Sequence, residues 1–171
     1  VKTKRFSAWL KGFCATALAA ALLAPGTPTP AGIPRSGQPA PAFSLPKAAG
    51  GGNITLASLK GKPVYLNFFA SWCAPCNEEA PSVVELYKKY HSRGLMTLAV
   101  NELESPKKAL EFAGKYHFPF PVVIDDGKMG KEYGVLAMPV HVFIDRSGKI
   151  SLYRLGEMTP AEIEAAIKKI L

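Results

Sequence analysis

The sequence predicts an α/β domain in which a central mixed β-sheet is flanked by helices and preceded by a short N-terminal β-hairpin. Three observations predict it. The uninterrupted apolar runs PVYLNFFA (63–70) and LMTLAVN (95–101) suit strands buried on both faces. The segments that follow them repeat apolar residues at helical spacing. Near the end, PVHVFID (139–145), the turn DRSGK and ISLYRL (150–155) read as an antiparallel hairpin. A chain of 171 residues with 48% hydrophobic and 20% charged content can bury one such core and is short for two. Its three cysteines cannot supply a disulfide framework, so the core must come from packing.

The N-terminus reads differently from the rest. Lys2, Lys4, Arg5 and Lys11 precede the uncharged run FCATALAAALLA (13–24) and then a Pro/Gly/Thr stretch, which is the order of an export signal. The run is shorter than the roughly 20 residues a spanning helix needs. Residues 1–31 are expected to be a signal peptide, cut after Ala21 or Ala31, or an N-terminal membrane anchor, and residues 32–171 the folded domain. Cys14 lies before the apolar run instead of after it and reads as an incidental signal residue, not a lipidation site. The full chain carries +8, and without those four basic residues 17 basic against 13 acidic side chains leave +4. That is a mildly basic surface and not a nucleic-acid stripe.

Within the domain, PAFSLP (41–46) and NITL (53–56), joined through glycines, suit a hairpin or two edge strands. Ala80, Val83, Val84, Tyr87 and Tyr90 mark a helix that ends at Gly94. Ser105 and Pro106 suit an N-cap and first turn, with Leu110, Ala113 and Tyr116 on one face. FPVVID (120–125) is strand-like and GKMGKEYGV (127–135) a short helix or turn. Thr159 and Glu162 form a capping box for a last helix with Ile163, Ala166, Ile167 and Ile170 inward.

The chemistry sits in FFASWCAPCNEEAP (68–81). A closed zinc site wants four ligands, and no second CxxC pairs with Cys73 and Cys76. His91, His117 and His141 are scattered and read as surface or packing residues. A purely structural disulfide over so short a loop would constrain the unfolded chain little. Redox exchange fits better. With Cys73 at a helix N-terminus, unpaired backbone N–H groups favour its thiolate, making it the attacking sulfur. Cys76, one turn in and expected to be more buried, then resolves the mixed disulfide. Ala74 and Pro75 add no charge or imidazole.

Taken together, YLNFFASWCAPCNEEAP, FPVVIDDGKMGKEYGV and MPVHVFIDRSGKI resemble the exported TlpA/ResA/CcmG-like branch of the thioredoxin-fold superfamily, across about residues 38–171. The resemblance implies a thioredoxin-like fold with a central strand-helix insertion. It also implies a protein-disulfide reductase, with no cofactor beyond a redox-active Cys73–Cys76 disulfide and no bound metal. Thioredoxin itself carries a buried aspartate where this chain has Asn67, as the branch commonly does, and Glu79 matches the branch's active-site glutamate, a candidate acid/base for Cys76. Glu78 has no such match and reads as surface. Pro139 is implied to be cis, with the Met138 backbone pairing to a bound substrate strand. Met138 itself departs from the small or branched residue usual there. Trp72 is implied to lie as a lid beside the sulfur.

The implied partners are protein disulfide or dithiol clients, such as apocytochrome c or a copper-site partner, and a membrane dithiol donor. The implied location is the periplasm or outer face of the cytoplasmic membrane of a bacterium. A thiol peroxidase is the alternative enzyme, but Leu66 and Ala70 stand where its PxxxTxxC motif needs proline and threonine. A Cu(I)-binding or partner module is the non-catalytic alternative.

Overall fold

The structure is a computed structural model that describes residues 32–171. The expected signal or anchor at residues 1–31, Cys14 included, lies outside the described residues. No helix among those described is long and apolar enough to cross a membrane.

The glycine-linked segment forms an antiparallel pair, β1 (Ser44–Pro46) and β2 (Asn53–Thr55). A turn of 3-10 helix at Leu56–Leu59, capped reciprocally by Thr55 and Ser58, leads out of it. The first apolar run is β3 (Val64–Phe69), and all six of its residues are buried. It lies at the centre of a five-stranded sheet. β4 (Met96–Glu102) and β5 (Val122–Asp125) extend the sheet in parallel on one side. On the other, β6 (Val140–Ile144) and β7 (Ile150–Leu155) add antiparallel, giving the order β5-β4-β3-β6-β7. The sheet is mixed, as the terminal hairpin required.

Parallel neighbours need crossovers, and two helices supply them. α1 (Ala74–Tyr90) joins β3 to β4 and continues into a 3-10 turn stopped by Gly94, whose φ of 94° is the left-handed value that glycine adopts freely. α2 (Pro106–Lys115) joins β4 to β5, with Ser105 as its N-cap. Both pack on one face of the sheet with α4 (Pro160–Ile170), because two crossovers stepping in the same direction with the same hand fall on the same side. The Thr159–Glu162 capping box opens α4, and Ile163, Ala166, Ile167 and Ile170 are buried. The expected stripe on α2 is rotated. Ala109 and Phe112 are buried, Ala113 and Tyr116 flank them, and Leu110 is exposed, because the aromatic cluster Phe69, Phe118 and Phe120 recruits Phe112.

The other face carries the β1–β2 hairpin and α3 (Lys128–Glu132), which bury Phe43, Leu45, Ile54, Met129 and Tyr133 against Leu66, Phe68, Leu98 and Val100. Here a close approach dictates sequence. Asp125 accepts the Met129 and Gly130 amides at 3.0 and 2.6 Å and so caps α3. A Cβ on Gly130 would fall 2.1 Å from Glu102 Oε1, so any larger residue would have to displace that carboxylate. Glu102 is buried beside Asp125, and burial, then the Asp125 charge, push its carboxyl up to about 8.

An exposed glutamate titrates near about 4.3. Between that value and about 8 the folded protein holds a proton the unfolded chain has lost, so stability falls as pH rises through this window. Glu102→Gln removes the titration at nearly constant shape. Urea unfolding at pH 5 and pH 9 is expected to show a smaller loss for the variant, which becomes the more stable protein at pH 9; parallel curves for the two would refute this.

Candidate active site

β3 ends at Phe69, and the chain turns so that the Cys73 amide donates to the Ala70 carbonyl at 3.1 Å. Cys73 is the N-cap of α1, extended at φ −77° and ψ 109°. Its Sγ accepts the Cys76 amide at 3.2 Å, one of the N-terminal donors that has no partner inside the helix. Pro75, in the first turn, has no N–H to leave unpaired. Cys73 and Cys76 form a disulfide. The expectation that Cys76 is the more buried does not hold. Each is 4% exposed, because the disulfide draws Cys73 into the same apolar cluster as Phe69, Ala80 and Met158.

Polar contacts hold this loop from the β4–α2 side. Glu104 accepts from the Ser71 amide at 2.7 Å, the Ser71 hydroxyl at 2.6 Å and Asn101 Nδ2 at 2.9 Å. Desolvation works to raise its carboxyl, but those hydrogen bonds and the nearby Lys108 outweigh it and hold the group below the usual range. Asn77 makes a second tie. Its side-chain amide donates to the Ser71 and Cys73 carbonyls at 3.1 and 2.8 Å, while its Oδ1 accepts from Lys115, the last residue of α2, and from the Tyr116 hydroxyl just beyond it. Neither residue was singled out by sequence reasoning. Glu104 lies in a different loop from the cysteines, and nothing in its local sequence points across 33 positions to Ser71.

The β3–β6 register brings in the rest. Phe68 faces Val140, so the chain leaving β3 toward Cys73 and the chain entering β6 from Pro139 lie at the same end of the sheet. The Met138–Pro139 peptide is cis, Pro139 is buried, and Met138 packs against the cluster that holds the two cysteines. Trp72 is 71% exposed, so most of its ring stands in solvent instead of being packed down. Leu103 and Leu136, in the β4–α2 and α3–β6 loops, are similarly exposed.

Glu79 is buried, three residues beyond Cys76 on α1, and Glu78 beside it is exposed. Glu79 Oε1 accepts the Met158 amide, and Oε2 lies 3.3 Å from His141 Nε2. His141 is fully buried and Tyr65 nearly so, with the Tyr65 hydroxyl 2.8 Å from His141 Nδ1. Asn67, the cross-strand neighbour of His141, places Nδ2 3.5 Å from the same nitrogen. Read from the sequence as a packing residue, His141 thus has polar contacts that the strand pattern gave no reason to expect; His91 and His117 are exposed. Glu79 also lines a cleft of about 370 Å³ bordered by Pro75, Glu78, Glu157 and Glu162. Among the described residues, no group of three or more His, Cys, Asp or Glu side chains is placed to hold a metal ion.

Comparison with known proteins agrees with this geometry. Residues 35–169 match the redoxin family. The thiol-disulfide oxidoreductase ResA of Bacillus thuringiensis (strain Al Hakam) is 39% identical over 135 residues, 78% of each chain. The structure of a thiol:disulfide interchange protein of the thioredoxin family from Chlorobium tepidum superposes with a TM-score of 0.71 at 28% identity, covering 81% of this chain and 99% of that one. A secreted Mycobacterium tuberculosis disulfide oxidoreductase, homologous to E. coli DsbE, superposes with a TM-score of 0.68 at 25% identity, covering 74% of this chain and 95% of that one.

Glu104 is expected to set the order of the active-site loop. Glu104→Ala leaves the Ser71 amide and hydroxyl without their acceptor, and hydrogen bonds to a charged group are worth about 1.5–3 kcal/mol each before solvent substitutes. A stability loss of about 1–2 kcal/mol is expected, together with faster hydrogen exchange at the Ser71 amide. Unchanged exchange there would show that the loop does not depend on this carboxylate.

Proposed function

The chain belongs to the redoxin family and is a thiol-disulfide oxidoreductase, and from that premise we propose that it works outside the cytoplasm as a reductant of protein disulfides. The observation that carries the reading is the Cys73 sulfur capping α1, because a donor aimed at that atom stabilises the thiolate that must attack. Reduced Cys73 attacks one sulfur of a client disulfide. A Cys73–client bond forms, and the other client sulfur leaves as a thiolate that takes a proton from water. Cys76 then gives its proton to Glu79, one helical turn away, and its sulfur attacks Cys73. The Cys73–client bond breaks, the second client thiol is released, and the protein is left with the Cys73–Cys76 disulfide. Two electrons pass to the client, and no cofactor takes part. A membrane dithiol donor is the class of partner that would reduce the protein again.

Client contact is assigned to the rim of the site. The Met138 backbone, next to cis Pro139, is the edge against which an extended client segment pairs. Exposed Trp72, Leu103 and Leu136 stand in the three loops around that edge and give an unfolded client apolar contact. The export reading is supported by the basic and apolar order of residues 1–24, which would serve as signal or membrane anchor. Clients of the apocytochrome c or copper-site kind fit a reductant there, since their cysteines must stay reduced to bind haem or metal.

Two measurements test this. Iodoacetamide at neutral pH should label Cys73 well before Cys76 in the reduced protein, and Cys76→Ser should accumulate a mixed disulfide whose partner is the client. Preferential labelling of Cys76 would reverse the assignment. Equilibration with dithiothreitol should place the couple below about −200 mV, because only the helix end and backbone donors stabilise the Cys73 thiolate. A potential near about −120 mV would make the protein an oxidant instead.

A further inference from the structure

Glu79 Oε2 and His141 Nε2 are the two buried polar atoms that face each other in this core, 3.3 Å apart and off the line of a hydrogen bond, and neither has another partner. Leaving either alone costs the full desolvation of a polar group, so each is informative about the other. The other side of the imidazole fixes its proton. Nδ1 is approached by the Tyr65 hydroxyl at 2.8 Å and by Asn67 Nδ2 at 3.5 Å, both able to donate. Burial, then the Glu79 charge, push the Tyr65 hydroxyl well above its usual range, so it stays protonated and able to donate. With Nδ1 accepting from these two donors, the ring hydrogen is on Nε2, the nitrogen that lies 3.3 Å from Glu79 Oε2.

We propose that Tyr65 and His141 are positioning residues for Glu79, holding its carboxylate beside Cys76 and stabilising the charged form that takes the Cys76 proton. Tyr65 and His141 reach the site from adjacent strands, β3 and β6, on the face that α1 covers. The remaining charged groups near the pair lie outside the core. Arg154, opposite His141 on β7, is exposed, and Glu78, Glu157 and Glu162 line the cleft that Glu79 borders. The Met158 amide occupies the other Glu79 oxygen, so Oε2 is the atom left to exchange a proton. In the resolving step, the Cys76 S–H proton moves to Glu79 and the Cys76 sulfur attacks Cys73. The proposal rests on Glu79 as the proton acceptor for Cys76.

The test uses the reduced protein with oxidised glutathione as probe, quenched with acid and weighed by mass spectrometry, so that formation and resolution of the Cys73–glutathione mixed disulfide are timed separately across pH. Tyr65→Phe combined with His141→Phe replaces both partners by apolar rings of similar size and leaves no orphaned hydroxyl. The resolving step of this variant should move its pH midpoint up by about one unit and so slow about tenfold at pH values below the wild-type midpoint, while formation keeps its midpoint. Glu79→Gln should flatten the resolving profile, and adding the two phenylalanines to it should change nothing further. A flat Glu79→Gln profile with an unmoved double variant overturns this proposal and leaves Glu79 in its role. A wild-type profile for Glu79→Gln removes the role itself. Should the double variant not fold, two readings remain. Tyr65→Phe alone should shift the midpoint in the same direction, and nitrogen NMR of the wild-type protein should find His141 in the Nε2–H form; an unmoved midpoint or an Nδ1–H ring overturns the proposal.

Discussion

The amide of Cys76 pointing at the sulfur of Cys73 is the contact on which the rest of the site depends. It exists only if a helix begins where β3 stops, and that requires a strand rigid enough to aim the chain. β3 is such a strand, buried on both faces and paired on both edges. The helix it launches is then held by side chains from elsewhere: Glu104 on Ser71, and Asn77 between the loop and α2. A redox loop needs this order, because a thiolate gains from a donor only at hydrogen-bond distance and angle.

Beneath that helix the core is polar where an ordinary α/β core would be apolar. Tyr65, Asn67 and His141 share one face of β3 and β6, and Glu79 meets them from α1. Such a group is costly to bury and worthwhile only where its members satisfy one another or carry protons. The stacking of Tyr65 on Phe143 at 4.6 Å, with an interplanar angle of 1°, fixes the phenol so that its hydroxyl can reach the imidazole. The opposite face of the sheet has its own acidic pair, Glu102 and Asp125, which serves another purpose: Asp125 caps α3, and the Glu102 carboxylate fills the space beside Gly130.

How much of this was legible in the chain follows from how far each signal reaches. The strands, the capped starts of α1, α2 and α4, and the Cys73–Cys76 pair are written in contiguous residues, because periodicity, N-caps and a three-residue spacing act within one or two turns. The place of Glu79 was legible as well, since it lies one turn from Cys76 on the same helix. Sequence alone therefore determined the fold class, the redox chemistry and the helix start that makes Cys73 an N-cap. The tertiary structure decided what pairs across the sheet: that Phe112 and not Leu110 faces the core, that both cysteines are equally buried in the disulfide, and that His141 lies against Glu79. Those outcomes depend on strand register, which joins residues more than 70 positions apart, as in the Tyr65–His141 contact. A one-residue slip of β6 would carry His141 to the opposite face, so no local pattern could have placed it.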